Sequence, residues 1–345
     1  YKASMWDSLE SIWLAAKDDD KCDAYVVPIP YYDRNPDGTF KQLNYEGNSF
    51  PSYVPILHYD NYVLEKRLPD VIYIHNPYDE LNIVTSVEPK FYSYELKKYT
   101  DCLVYVPYFS TSGGMNEGQK SCSAYYHVDY IIVQAQKYKG FYDAKIPQNK
   151  ILPLGSPKFD RIIKMCENPP EPPALWKAKM AGKKVYFYNT SLNGMLADTH
   201  AFLIKMSYIF DQFIKHEDSC IIWRPHPLFE STLKSMRPGY LPIFIELKRK
   251  FITNDIGIYD DTDDINKTIA LCDAYIGDSG TSVTSLFGIT GKPLFLLNNK
   301  INTEPKESDY QCLSRIPTIA VPNINPQYSI AKDNKLYYSP NNDFK

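Results

Sequence analysis

Asp273-Ala-Tyr-Ile-Gly-Asp-Ser-Gly-Thr-Ser-Val-Thr-Ser-Leu-Phe287 holds an apolar run, then a turn of small hydroxyl residues with a glycine, then apolar residues at helical spacing. The spacing predicts a strand over 273–276, a loop from Asp278 and a helix over 282–287. A strand that is apolar without alternation is one covered on both faces, as in a parallel sheet. The same unit recurs along the chain. Short apolar runs lie at 24–29, 71–75, 102–106, 130–133, 184–188, 220–223, 256–259 and 293–297. Helical stripes separate them, the plainest at 200–215, where Phe202, Leu203, Met206, Ile209, Phe210 and Phe213 share a face. Strand and helix in alternation predict an α/β chain with parallel sheets and right-handed crossovers.

A chain of 345 residues suggests two domains, at roughly 150 residues each. Glu167-Asn-Pro-Pro-Glu-Pro-Pro173 is a connector that neither helix nor sheet absorbs, because proline removes a donor and fixes its own backbone. The expected division is a first α/β domain over 1–165, a second over 166–305, and a tail over 306–345 without periodicity. The chain opens with Ser4 and Asp7 at capping-box spacing, and Met5, Trp6, Leu9, Ile12, Trp13 and Ala16 fall on one helical face. Domains seldom begin on such a helix, so a preceding strand is expected that this sequence lacks.

Composition removes several classes of function. Tyrosine (30) and proline (26) are abundant and glycine (15) is scarce, which fits neither collagen nor low-complexity disorder. A net charge of −3 argues against a surface that neutralises nucleic-acid phosphates. The cysteines, at 22, 102, 122, 166, 220, 272 and 312, are dispersed with no C-x-x-C pair. That spacing suits neither a disulfide framework nor a zinc site, and it suggests a reducing compartment. No apolar run approaches the roughly 18 residues that span a bilayer. A cytoplasmic protein is the expectation, with contact at a membrane surface left open.

Ligands of open parallel sheets bind beyond the carboxyl ends of the strands. In the second half those ends carry Asn189 and Ser191, Arg224-Pro-His226-Pro227, and Asp278, Ser279, Gly280, Thr281 and Ser282. Small hydroxyls and glycine leave backbone N–H groups open to a phosphate. Arg224 offers a planar fork and His226 a hydrogen bond or a proton. In the first half His75, Asn76, Tyr78, Asp79, Tyr108 and Ser110 stand at strand ends, with His75 a candidate base. Gly155, Ser156 and Lys158 open a helix after the run at 151–154. The acidic run Asp260-Asp-Thr-Asp-Asp264 is read as solvated helix-capping carboxylates, not as a metal site, because no histidine accompanies it. Neither Gly-x-Gly-x-x-Gly nor a Walker loop is present, which demotes dehydrogenase and P-loop kinase chemistry.

Gly155-Ser-Pro-Lys-Phe-Asp160, Arg224-Pro-His-Pro227, Asp273–Ser282 and Gly291-Lys-Pro-Leu-Phe-Leu296 together resemble the CDP-glycerol glycerophosphotransferases, which build teichoic acid-like polymers in Gram-positive bacteria. The resemblance covers about 150–300. It implies a GT-B fold, with two Rossmann-like parallel-sheet domains facing across a cleft, the nucleotide on the second and the acceptor in the cleft. It further implies that His226 contacts the donor diphosphate or protonates the CMP leaving group, and that Ser279, Thr281 and Ser282 bind the donor phosphates with Arg224 adding charge. The expected donor is CDP-glycerol or another nucleotide diphosphate, with no cofactor required. The expected acceptor is a polyol phosphate, a lipid-linked chain or a glycan, and for a lipid-linked acceptor the protein is expected at the inner face of the plasma membrane. One departure stands out: the family's His-Gly-Thr-Pro turn reads Pro107-Tyr-Phe-Ser-Thr-Ser112 here, leaving His75 as the nearest candidate base. The Asp-Ser-Gly loop and Gly-Lys-Pro strand are also similar to the UDP-N-acetylglucosamine 2-epimerases. A non-catalytic nucleotide- or glycan-binding scaffold is the third alternative.

Overall fold

The computed structural model describes residues 1–297, apart from Pro36, Ile83, Ser112, Gly113, Asn116, Asp263 and Gly280, and the backbone of 328–330 and 336–338. The chain divides into two compact units, Tyr1–Arg161 and Ile162–Lys345.

The described strands of the first unit are β1 (Tyr31–Arg34), β2 (Phe40–Asn44), β3 (Val71–Ile74), β4 (Thr85–Val87), β5 (Cys102–Tyr105), β6 (Tyr130–Ile132) and β7 (Ile151–Leu152). Four of them form a parallel sheet in the order β3-β5-β6-β7. Leu103, Tyr105, Tyr125, Val128, Ile131 and Ile151 are almost wholly buried around it. The other three form an antiparallel sheet, β2-β1-β4, which strand–helix alternation did not predict. β2 is mostly exposed Phe-Lys-Gln-Leu-Asn, so it carries no apolar run to notice. Its local signal is the turn before it, closed by Gly38 N–H to Asn35 O at 2.9 Å with Gly38 at φ +84°.

Two further expectations fail near the amino terminus. The run at 24–29 forms no strand beyond a single parallel bridge between Val26 and Ile56, because Pro28 and Pro30 deny the segment ladder donors. The capping box does not form. A 3₁₀ helix spans Ala3–Ser8 with Lys2 as an uncapped N-cap, and α1 (Glu10–Lys17) follows. Asp7 instead accepts from Lys158, at the start of α2 (Pro157–Glu167).

The second unit holds a parallel sheet of β8 (Lys184–Thr190), β9 (Ser219–Pro225), β10 (Ile258–Tyr259), β11 (Ala274–Asp278) and β12 (Leu294–Leu297), in the order β10-β9-β8-β11-β12. Here the unalternating runs are buried along nearly their whole length, as a doubly covered strand must be. The connecting helices are α3 (Leu192–Ala197), α4 (Thr199–Lys215), α5 (Phe229–Met236), α6 (Leu241–Thr253), α7 (Ile265–Leu271) and α8 (Ser282–Gly288). Trp223 on β9 packs its ring 5.0 Å from Phe210 of α4 and 5.1 Å from Phe251 of α6. Burial of such a ring contributes about 1.5–3 kcal/mol. Both units therefore carry the parallel α/β sheets expected from the sequence. Of the tail, the described backbone is an antiparallel pair, Tyr328–Ile330 with Leu336–Tyr338. Among the described residues no helix is long and apolar enough to cross a membrane.

Candidate functional site

The strand order of the second unit locates its ligand edge. From β8 the chain moves outward through β9 to β10, then returns to the other side of β8 with β11 and β12. The direction of winding reverses between β8 and β11, and a crevice opens beyond the carboxyl ends at such a point. Those ends pair in register, Gly277 opposite Asn189 and Asn189 opposite Arg224. Gly277 is required there, since a Cβ at that position would lie 2.6 Å from the Asn189 carbonyl oxygen.

A buried charge pair underlies the crevice. Asp278 Oδ2 accepts from the Ser191 N–H (2.9 Å) and from Ser191 Oγ (2.6 Å), and Asp278 Oδ1 accepts from Lys205 Nζ (2.8 Å). The Lys205 and Asp278 side chains are 5% and 9% exposed. Burial pushes the Lys205 ammonium down and Asp278 opposes that shift. Ser191 Oγ in turn accepts from Gly194 N–H, capping α3, and a Cβ on Gly194 would meet the Asp278 carboxylate at 2.6 Å. Asp278 is thus the knot that ties the end of β11 to the turn after β8. Ser279 and Ser282 are exposed beside it, and Thr281 is held as the N-cap of α8 by accepting from Thr284 N–H. Gly280 lies outside the described residues. Lys205 was not singled out from sequence, although a cation inside the apolar stripe of 200–215 was a legible signal.

His226 joins the same edge. Its N–H donates to Thr190 O at 3.0 Å, which fastens the end of β9 to the end of β8. Its Nδ1 accepts from Leu228 N–H at 3.1 Å. Burial lowers its imidazole below the ordinary 6.5. Both facts favour the neutral ring with the proton on Nε2, a hydrogen-bond donor and not a ready source of protons. Asn189 donates to Arg224 O at 3.1 Å.

Arg224 itself is placed differently from expectation. It donates from Nη1 to Asp260 Oδ2 (2.8 Å) and from Nη2 to Thr262 O (2.5 Å). Asp260 is buried and also accepts from the Thr262 N–H and from the Thr262 and Thr268 hydroxyls. Arg224 therefore braces β9 to the end of β10, and much of its fork is engaged. The reading of the acidic run as solvated caps holds for Asp264, which accepts from Asn266 N–H at the start of α7, and fails for Asp260. Asp263 lies outside the described residues. Among the described residues no group of three or more His, Cys, Asp or Glu side chains could hold a metal.

The remaining candidates lie in the first unit. Lys158 donates to both carboxylate oxygens of Asp7, at 2.6 and 2.7 Å, with both side chains about nine-tenths buried, so its charge is matched within that unit. Gly155 (φ +102°) and Ser156 form the turn ahead of α2. His75 follows β3 and is 7% exposed. Ser8 Oγ donates to Met5 O, so it accepts from His75 Nδ1 at 3.0 Å, and His75 Nε2 then accepts from the Tyr1 nitrogen at 3.0 Å. Both ring nitrogens are engaged. Burial and the positive charges of the Tyr1 nitrogen and Lys158 push the imidazole well below its ordinary range. The candidate base is a buried neutral ring.

Asp79, at φ +48°, accepts from the Ser93 N–H and hydroxyl, and burial raises its carboxyl. Asn76 is buried and accepts from Tyr78 N–H. The Tyr78 and Tyr108 hydroxyls stand 3.5 Å apart, and the Tyr108 ring lies 6.3 Å from that of His75. Among the described residues Ser110 Oγ, which is buried, has no hydrogen-bond partner. His75, Tyr78 and Tyr108 are thus brought together, the imidazole buried and both tyrosines half-buried.

No family model matches the chain, and no curated protein matches it. Solved structures do. The UDP-GlcNAc 2-epimerase of Methanocaldococcus jannaschii matches with a TM-score of 0.52 at 14% identity, over 86% of this chain and 81% of that one. The UDP-GlcNAc 2-epimerase of Neisseria meningitidis bound to UDP-GlcNAc matches at 0.51 and 9%, over 87% and 81%. The fold is GT-B, as the sequence led one to expect. The wall teichoic acid polymerase TagF also matches, at a TM-score of 0.40 and 16% identity over 58% of this chain, which spans 50% of the polymerase structure.

Proposed function

We propose that this protein is an enzyme of nucleotide-activated substrates. In this reading it binds a nucleoside diphosphate donor at the carboxyl ends of β8, β9 and β11. It then moves glycerol phosphate, or a related polyol phosphate, from a CDP-alcohol to an acceptor hydroxyl. The observation that carries the reading is the reversal of strand order between β8 and β11, where Ser191, Asp278 and Ser279 converge and His226 is fastened alongside. The motifs Gly155–Asp160 and Arg224–Pro227 support the CDP-alcohol. A second reading, chemistry on a UDP-sugar, is supported by the likeness to two UDP-GlcNAc 2-epimerases over more than four-fifths of the chain.

In the transfer, the acceptor hydroxyl oxygen forms a bond to the glycerol-bearing phosphorus and gives its proton up to solvent water, while the bond to the CMP oxygen breaks, CMP leaving with the electron pair. Neutral His226 donates from Nε2 to a phosphate oxygen, and the Ser279 and Ser282 hydroxyls donate beside it. Fixed donors of this kind stabilise the charge that develops on oxygen. Arg224 holds the end of β9 in place, its charge matched by the buried Asp260. His75 takes no proton, because its lone pair already accepts from the Tyr1 nitrogen.

Calorimetric titration with CDP-glycerol, CMP, UDP-N-acetylglucosamine and UDP tests the reading. Selective binding of the cytidine pair is the expected result. Selective binding of the uridine pair replaces it with the second reading, and silence to all four overturns both. His226→Ala is expected to lower turnover about 10²–10³-fold, the usual effect of removing one such donor.

A further inference from the structure

The apolar stripe over Ala3–Ser8 and α1 takes no part in the functional reading, and it borders a cavity. Trp6, Leu9, Ile12, Trp13 and Ala16 of that stripe line a space of about 700 Å³. Val26, Ile29 and Phe50, with Ile72 and Ile74 of β3, extend its apolar wall. Every residue that lines it belongs to the first unit. The volume falls within the roughly 300–1,000 Å³ of pockets that take small molecules.

Two hydrogen-bond donors stand in this wall without acceptors. Trp6 and Trp13 are 5% and 6% exposed, and their ring centroids lie 5.8 Å apart. Among the described residues neither indole Nε1–H has a hydrogen-bond partner. Trp223, by contrast, donates from Nε1 to Thr190 Oγ1 at 3.2 Å. A buried indole normally finds an acceptor, because its nitrogen can only donate and leaving it dry costs free energy. A single water answers the need poorly, since a buried water wants about two to four polar partners. The side chains packed with the two indoles are Val26, Val54, Leu9 and Phe50.

The rim sets the charge of what can enter. Its exposed charged residues are Lys21, Asp23, Arg67 and Asp70, two of each sign. The Arg67 guanidinium lies over the Tyr25 and Tyr62 rings, 5.2 and 5.6 Å from their centroids, and donates to the Tyr25 hydroxyl. No excess of one sign recruits an ion, and an unpaired charge is costly to bury among hydrocarbon.

We propose that this cavity binds an uncharged amphiphile, an apolar chain bearing ester or hydroxyl oxygens that accept from the Trp6 and Trp13 indoles. An acylglycerol has this chemistry. A pure hydrocarbon fills the space but leaves both donors dry, and a fatty carboxylate carries a charge into it. The inference stands apart from the functional reading, since no residue of the second unit enters it.

The test labels the 345-residue protein with nitrogen-15 tryptophan and titrates monodecanoylglycerol below its micellar concentration. Butylbenzene and decanoate are the comparison probes. The indole signals of Trp6, Trp13, Trp176 and Trp223 are the readout, the first two assigned with Trp6→Phe and Trp13→Phe. The acylglycerol is expected to move the Trp6 and Trp13 signals downfield to saturation and to leave that of Trp223 in place. It should bind at least about tenfold more tightly than either comparison probe, the effect of giving buried donors their acceptor. Trp6→Phe/Trp13→Phe keeps two aromatic rings, so it should bind butylbenzene much as the parent does and lose the preference for the acylglycerol. The absence of a saturable shift in the parent overturns the proposal, whether or not the double variant folds. So do equal affinities for the three probes, tighter binding of decanoate, or a preference that survives in the double variant.

Discussion

Lys205→Met removes the cation beneath the β8–β11 crevice and leaves Asp278 buried without its counter-charge. Breaking a buried pair by deleting one partner costs about 3–5 kcal/mol. Asp278 keeps its two bonds from Ser191, so the low end applies, about 3 kcal/mol. The residues that lose support are those at the ends of β8 and β11, and native-state hydrogen exchange of their amides reads the second unit by itself. Exchange through opening of that sheet should accelerate roughly a hundredfold in Lys205→Met. Asp278→Asn is the second arm. It retains an acceptor for Ser191 and leaves a lysine whose ammonium burial already disfavours, so a smaller loss is expected. In Lys205→Met/Asp278→Asn the two losses should fall short of additive by about 1.5 kcal/mol or more, as for other contacting pairs. A Lys205→Met protein within about 0.5 kcal/mol of the parent, or strict additivity, refutes the account of Asp278 as the knot of this site.

Two further perturbations separate other parts of the fold. Gly277→Ala drives a Cβ to 2.6 Å from the Asn189 carbonyl, whereas Gly155→Ala meets open space and only the strain of φ +102°. The first is expected to cost more than about 3 kcal/mol and the second about 1 kcal/mol, and urea midpoints that rank them the other way contradict the β8–β11 geometry. In acid, both His75 and His226 stay neutral in the fold below the ordinary 6.5, while unfolded imidazoles take up protons there. The unfolded state then binds more protons, so this stability is present above about pH 6.5 and is lost as pH falls through that value. Thermal midpoints from pH 7.5 to 5 should fall less steeply for His75→Gln than for the parent, and parallel slopes would show that the His75 cage does not hold.

Much of the second unit was legible from sequence because its strands are buried on both faces. A doubly covered strand carries one message, continuous apolarity, and 184–188, 220–223, 274–276 and 293–297 all became strands of one sheet. The first unit was less legible because its strands are partly covered or polar. β1, β2 and β4 carry tyrosines, Lys41, Gln42 and hydroxyls, and an antiparallel strand of that kind looks like a loop. The run at 24–29 erred in the opposite direction, apolar enough for a strand but deprived of donors by its prolines.

Among candidate site residues, sequence established the loop Asp278–Ser282 and the turn Arg224–Pro227 as strand-end features, because composition and position after an apolar run are local properties. Which of those side chains remain available to a ligand was decided by tertiary structure alone. Arg224 turned to Asp260, Lys158 to Asp7, and His75 to Ser8 and Tyr1, each a partner found between 36 and 151 residues away or closed by the burial of a distant segment. A buried charge must be matched where it stands, and only the folded chain determines what stands beside it.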